Sequence, residues 1–148
     1  NATKYKNRFV PYLVAYLSYA RPSCSFTIVV ATQADDGRKF NRGRLMNAAF
    51  QEMCCGHGAE AFDSVIFHDV DILPSVELMP FYAVPPQKGR PLHIGGAWRT
   101  KYRASDFCGG AIAFTPGDFE QCNGYPNDCW GWGLDDAELR LRALESGL

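Results

Sequence analysis

Two aspartates one residue apart, Asp69 and Asp71, close the apolar run Ser64-Val65-Ile66-Phe67 and are followed by Pro74. Carboxylate oxygens are the ligands a hard divalent cation prefers, and a cation held by one or two of them can carry a diphosphate. If Val65 to Asp69 is a strand, side-chain alternation puts Asp69 and Asp71 on one face, away from Val70, where the strand gives way to loop. The same pair also reads as two acids ending a strand in a solvated turn. A calcium loop of the EF-hand kind is excluded, because its fifth position would be Leu73 and no glycine follows it.

A second chemical stretch lies near the C-terminus. In Cys129-Trp130-Gly131-Trp132-Gly133-Leu134, each glycine leaves a gap beside a large ring, which does not suit an ordinary core strand. It suits a loop that lays indole faces against the apolar C–H faces of a sugar, or one that uses two tryptophans as packing anchors. Asp135 and Asp136 follow in what should be the first turn of a helix, where the dipole favours ionised carboxylates. They either match that dipole or place a general base beside a sugar hydroxyl.

The elements that must position these groups follow from periodicity. Phe9, Tyr12, Leu13, Tyr16, Leu17 and Ala20 form a helical stripe from Arg8 to Ala20, stopped by Pro22. Phe26 to Ala31 is rich in β-branched residues and predicts a strand buried on both faces. Asn41 is placed to cap a helix that Gly56-His57-Gly58 breaks. Ser75 to Ala83 predicts a short helix, Leu92 to Ile94 a weak strand, and Gly109 to Thr115 a strand entered through two glycines. Thr115-Pro116-Gly117-Asp118 starts a further helix that ends near Asn123-Gly124. Between Gly95 and Asp106, Trp98 and Tyr102 lie among Arg99, Lys101 and Arg103, which suits either a diphosphate-sugar ligand or a solvated loop. Helix, strand, helix, strand favours a parallel sheet flanked by helices, whose ligands bind beyond the carboxyl ends of the strands.

Bulk properties narrow the function classes. A chain of 148 residues, 47% hydrophobic, is long enough for one domain with a real core. A formal net charge of -1 argues against nucleic-acid binding. With no apolar run of membrane-span length and no signal-peptide pattern, the chain itself is expected to be soluble, with any anchor outside it. The six cysteines lack zinc-finger spacing; they allow three disulfides or buried free thiols. Asn1-Ala2-Thr3 is a glycosylation sequon.

Four successive blocks carry a family resemblance: Lys39-Phe40-Asn41-Arg42-Gly43-Arg44-Leu45-Met46-Asn47, Phe67-His68-Asp69-Val70-Asp71-Ile72-Leu73-Pro74, Phe107-Cys108-Gly109-Gly110, and Asn123 through Gly133. In order and spacing the chain resembles the β-1,4-galactosyltransferase family from about Lys4 to Leu148. The resemblance implies an α/β fold of the GT-A nucleotide-diphospho-sugar transferase type, with a mostly parallel sheet flanked by helices. It also implies that residues 1–148 are a single catalytic domain without its C-terminal portion. The expected activity is inverting, Mn²⁺-dependent transfer of galactose from UDP-galactose to a hydroxyl of a glycan or glycoconjugate in the Golgi lumen. By the same resemblance, Asp71 is a manganese ligand, and Lys6, Arg8, Phe40, Arg42, Asp69 and Val70 bind the donor. Trp132 sits on a loop that closes over the donor and touches the sugars. Gly110 lies beside the sugars, Asp135 holds hydroxyls, and Asp136 is the base.

Departures bear on the same positions. Ala137 stands where the family commonly has a carboxylate, Lys6 where an Arg is usual, and none of His57, His68 or His93 matches the family's metal-binding histidine. A transferase of the same fold using UDP-N-acetylgalactosamine or another UDP-sugar, and a non-catalytic sugar or nucleotide binder, are the alternative readings.

Overall fold

In a computed structural model of the chain, residues 2–20, 24–58, 61–98 and 108–148 are described. Helix α1 spans Ala2–Ala20 and includes Pro11, so it begins a turn and a half before the expected stripe. Helix α2 spans Arg42–His57. Its N-cap is Asn41, as the sequence predicts: the Asn41 side chain accepts from the Arg44 N–H at 2.9 Å. Strand β1 is Val65–His68, followed by a 3₁₀ turn, Val76–Leu78, and the short helix α3, Met79–Ala83. Strand β2 is Ala111–Phe114, helix α4 is Pro116–Gln121 with Thr115 accepting from the Asp118 N–H, and helix α5 is Asp135–Glu145.

The parallel sheet expected from the helix–strand order is not what the described residues form. Their one hydrogen-bonded strand pair is antiparallel, β1 with β2, in the register Val65↔Phe114, Ile66↔Ala113, Phe67↔Ile112 and His68↔Ala111. Leu92 adds a single bridge to Ala113 rather than a strand. The run Phe26 to Ala31 forms no strand and pairs with none among the described residues; Phe26, Val29 and Val30 stay partly exposed while Ile28 packs on α1. Side-chain pattern marks β propensity, but a strand exists only where another backbone completes its ladder, and that partner is not local in sequence.

Alternation along the two strands separates two packed faces. Val65, Phe67, Ile112 and Phe114 join Phe50 of α2, Phe119 of α4 and Leu139 and Ala143 of α5 in the main core. Ile66, Ala111 and Ala113 face Leu78, Tyr82, Leu92 and Ile94 on the other side. A third cluster, Phe9, Leu13 and Tyr16 with Leu73, Met79 and Tyr82, seats α1 against α3. Cys24, Cys108, Cys122 and Cys129 are free thiols, which selects buried or exposed thiols over disulfides for these four. Asn1 of the sequon lies outside the described residues, as do residues 99–107 of the expected cationic loop and the side chain of Trp98. No helix among the described residues is long and apolar enough to cross a membrane.

Candidate functional site

The strand ends at His68, so Asp69, Val70 and Asp71 lie in a turn, and alternation along β1 does not extend to them. Other contacts fix that turn. The Asp69 N–H donates to the Gly110 carbonyl at 2.8 Å, continuing the β1–β2 ladder by one bond. His68 Nδ1 is 2.7 Å from the Asp69 carbonyl, which can only accept, so Nδ1 carries the proton. Burial lowers the His68 pKa, so the ring is neutral and its Nε2 accepts from the Tyr82 hydroxyl at 2.7 Å. On the far side, Tyr12 and Tyr16 of α1 donate to the carbonyls of Pro74 and Ser75. The turn is thus pinned between α1, α3 and β2, with Val70 and Asp71 exposed on it.

Arg42, the first residue of α2, reaches the same place from the opposite direction. Its Nε donates to Asp69 Oδ1 at 2.8 Å, and its Nη1 donates to Asp135 Oδ2 at 3.1 Å and Asp136 Oδ1 at 3.0 Å. The guanidinium lies over the Tyr125 ring, 5.2 Å from its centroid, and only 14% of the side chain is exposed. Burial works against the charge on Arg42, but Tyr125 and the carboxylates of Asp69, Asp136 and Asp135 outweigh it and hold the group more firmly protonated than usual. Three carboxylates share one cation, and the consequence falls on Asp136. Burial, with Asp135 and Asp69 adding to it against the opposing pull of Arg42, pushes the Asp136 carboxyl up to about 6.

The backbone around the cluster explains its position. Asn41 donates to the Asn127 carbonyl at 2.8 Å, and Asn47 donates to the Tyr125 carbonyl at 2.8 Å while accepting from the Tyr125 N–H at 3.0 Å. These bonds lock the segment around Tyr125, itself fully buried, against α2. Gly43 makes the approach possible: a Cβ there would stand 2.5 Å from the Pro126 carbonyl oxygen and 3.1 Å from Tyr125 Cβ. Alanine at a helix position is ordinarily favoured over glycine by about 1 kcal/mol. Here the clash with backbone decides the sign, and Gly43→Ala is expected to destabilise by about 1–3 kcal/mol in denaturant unfolding. An unchanged or raised midpoint would show that α2 is free to shift.

The Trp-Gly-Trp-Gly segment leads directly into α5. Leu134, its N-cap, has φ 72 and no capping side chain, a conformation uncommon for a branched residue. Trp132 is 100% exposed, whereas Trp130 lies under the Arg38 guanidinium at 4.7 Å, and the Gly131 N–H donates to the Phe40 carbonyl at 2.7 Å. Trp130 is held by the Arg38 stack yet 37% exposed, and Trp132 is wholly exposed, so neither indole is buried in the core. The Cys108 thiol donates to the Asp136 carbonyl, and burial pushes that thiol up to about 12, which keeps it protonated in this role.

Of the residues singled out from sequence, the fold brings Arg42, Asp69, Gly110, Asp135 and Asp136 together, with Val70 and Asp71 on the adjoining turn. Phe40 is half-exposed one residue before the Asn41 cap, and Trp132 projects from the loop ahead of α5. Lys6 and Arg8 are exposed on α1, and among the described residues no ion pair joins them to the cluster. Among the described residues no group of three His, Cys, Asp or Glu side chains is placed to hold a metal ion. The Asp69 carboxylate is engaged by Arg42, leaving the exposed Asp71 as the carboxylate that suits a cation whose other ligands are diphosphate and water. Sequence reasoning missed Tyr125 under the guanidinium, the His68–Tyr82 bond and the Cys108 thiol behind Asp136. Tyr125, His68 and Cys108 each lie inside a quoted block, whereas Tyr82 does not, and block membership alone did not show these contacts.

A strand-end turn with an exposed carboxylate thus lies beside a helix that opens with two more, and a loop carrying an exposed indole leads into that helix. Residues 3–82 match the family model described as the N-terminal region of glycosyl transferase group 7, and residues 90–148 match that of the N-terminal domain of galactosyltransferase. The chain belongs to this glycosyltransferase family. It is 37% identical over 142 residues to β-1,4-galactosyltransferase 7 of Drosophila melanogaster, an alignment covering 95% of this chain and 41% of the relative. It is 34% identical to human β-1,4-galactosyltransferase 4, over 93% of this chain and 39% of the relative. To the xylosylprotein 4-beta-galactosyltransferase of Caenorhabditis elegans it is 33% identical, over 95% of this chain and 46% of the relative. The chain therefore spans less than half the length of these relatives. A crystal structure of a Drosophila β-1,4-galactosyltransferase 7 mutant with manganese, UDP-Gal and xylobiose superposes with TM-score 0.83 at 34% identity, covering 100% of this chain and 58% of that one. The fold is accordingly the GT-A-like α/β glycosyltransferase fold.

Proposed function

We propose that this chain forms the donor- and acceptor-binding part of a β-1,4-galactosyltransferase that moves galactose from UDP-galactose to a sugar hydroxyl with inversion, and that it works in the Golgi lumen. The observation that carries the reading is Asp136: a carboxylate in the first turn of α5, fixed at 3.0 Å by a buried guanidinium and poised at a pKa of about 6. A base with a pKa near the working pH is ionised enough to act and basic enough to accept a proton. In the proposed step Asp136 takes the proton of the acceptor hydroxyl as that oxygen bonds to the anomeric carbon. The bond from that carbon to UDP breaks on the opposite face, and one displacement inverts the centre. Asp71 would hold manganese, which when bound supplies Lewis-acid neutralisation of the departing diphosphate. Val70 and the exposed Trp132 would flank the donor, and Asp135 would orient hydroxyls.

The decisive assay is acceptor-dependent UDP release with Mn²⁺ across UDP-galactose, UDP-N-acetylgalactosamine and other UDP-sugars, on this chain and on the whole protein. Release with UDP-galactose alone supports the proposal, and preference for another donor moves it to that donor. UDP binding without turnover in the whole protein would sink the enzyme reading, and Ala137 would be the first place to look for the cause. The ionised form of Asp136 is the active one, so kcat should be half-maximal near pH 6 and fall about tenfold per pH unit below it. A rate flat down to pH 4.5 would exclude Asp136 as the base.

A further inference from the structure

We propose that His93 is a positioning residue, which aims the Gly109–Gly110 peptide that joins the helix bearing Asp136 to the turn bearing Asp71. This rests on the reading of Asp136 as the base. Three consecutive buried residues, Cys108, Gly109 and Gly110, are each bonded to a different part of the chain. The Cys108 thiol donates to the Asp136 carbonyl at 2.6 Å, the Gly109 carbonyl accepts from His93 Nε2 at 2.8 Å, and the Gly110 carbonyl accepts from the Asp69 N–H at 2.8 Å. A carbonyl can only accept, so Nε2 carries a proton of the imidazole. His93 lies in none of the four family blocks and takes no part in the proposed chemistry.

The local fold leaves His93 little freedom. Leu92 before it exchanges two backbone bonds of 2.9 Å with Ala113 of β2, and Ile94 after it is buried against Ala111 and Ala113. Gly95 lets this segment come close, since a Cβ there would stand 2.3 Å from the Gly109 oxygen and 3.0 Å from the Ala111 nitrogen. The same oxygen accepts from the Ala111 N–H at 3.1 Å, which closes a γ-turn with Gly110 at its centre, φ 83. That is the rare, strained form of the turn, and strained backbone persists only where surrounding contacts over-determine it. The Ala111 bond shapes the turn but cannot set its tilt against the rest of the fold; His93 supplies that tie from outside. The peptide is trans, so a Gly109 carbonyl fixed on His93 directs the Gly110 N–H the opposite way. Without the imidazole, a buried acceptor loses a partner and the peptide is free to rotate, carrying Cys108 and Gly110 with it. The Asp69 turn keeps its Tyr12 and Tyr16 contacts and the His68–Tyr82 bond, so the displacement falls on Asp136 and the Gly110 N–H rather than on Asp71.

The test uses the whole protein and compares wild type with His93→Leu, which removes the donor, and His93→Gln, whose amide nitrogen can reach the same carbonyl. Assays are run well below each unfolding midpoint, so that folded molecules are compared. A positioning role predicts kcat lower by about 10–100-fold in His93→Leu, Mn²⁺-dependent UDP affinity within about threefold of wild type, and kcat restored to within about threefold in His93→Gln. Wild-type kcat in folded His93→Leu, no recovery in His93→Gln, or UDP affinity lost in step with kcat would each overturn the inference. Amide hydrogen exchange gives a readout apart from turnover. The Asp69 N–H should exchange at least about tenfold faster in His93→Leu and at about the wild-type rate in His93→Gln, while the Leu139 N–H of α5 keeps its protection. Unchanged exchange at Asp69 would show that His93 does not aim the peptide, and equal acceleration at Asp69 and Leu139 would leave it only a share in global stability; either result overturns the inference. A wild type without turnover would remove the base reading instead, and the exchange result would still decide whether His93 aims the peptide. If His93→Leu does not fold, His93→Asn, polar but too short to reach the Gly109 carbonyl, takes its place in both measurements.

Discussion

Asp136→Asn is expected to lower kcat by about 10²–10⁴-fold, the range a positioned general base contributes, with UDP affinity unchanged within about threefold. Asparagine keeps the oxygen that accepts from Arg42 Nη1, so the α2–α5 connection survives while the proton acceptor is lost. The same substitution should raise stability at neutral pH. The Asp136 carboxyl sits at about 6 in the folded protein against an ordinary 3.8, so the native state binds more protons than the unfolded chain between those values. Stability from this group is therefore present at low pH and is lost as pH rises through that window, and removing the charge removes the loss, by at most about 3 kcal/mol. With 27% of the side chain exposed to screening solvent, the measured gain should be smaller than that ceiling. Normal turnover in Asp136→Asn would refute the base assignment. A lower Tm with lost turnover would mean that the charge is structural, and the opposite signs of the two effects are what mark a functional carboxylate.

Local signals were legible in the sequence wherever a residue's role is decided by its immediate neighbours. Asn41 and Thr115 cap the helices that their side-chain chemistry predicted, and the α1 stripe packs as its spacing requires. The apolar run Phe26 to Ala31 carried an equally clear strand signal and is not a strand, because its ladder depends on backbone elsewhere. The carboxylates at positions 69, 135 and 136 were legible as types and as family blocks. Their convergence was not: one guanidinium joins positions 27, 93 and 94 residues away in sequence. Nor did spacing reveal that Asp69 and Asp71 would part company. Alternation along a strand made them equivalent, and the strand stops at His68, so one is drawn to Arg42 and the other is left exposed.

That separation is the basis of the second large effect. Asp71→Ala is expected to weaken Mn²⁺-dependent UDP-galactose binding by at least about 100-fold, since even partners one shell removed from a metal cost 10–100-fold when lost. Binding should be measured by calorimetry with Mn²⁺ and again with EDTA, and the variant with Mn²⁺ should resemble wild type with EDTA. Folding stability should stay within about 0.5 kcal/mol, because Asp71 is exposed and the turn is held by the Gly110, Tyr12, Tyr16 and Tyr82 contacts instead. Asp69→Asn should do the reverse: it weakens the charge-assisted bond to Arg42, so the fold and the placement of Asp136 are affected before metal affinity is. If Asp69→Asn abolished manganese-dependent binding and Asp71→Ala did not, the assignments within this turn would be exchanged. The cation would then compete with Arg42 for Asp69, and metal occupancy and the position of Asp136 would become one coupled equilibrium.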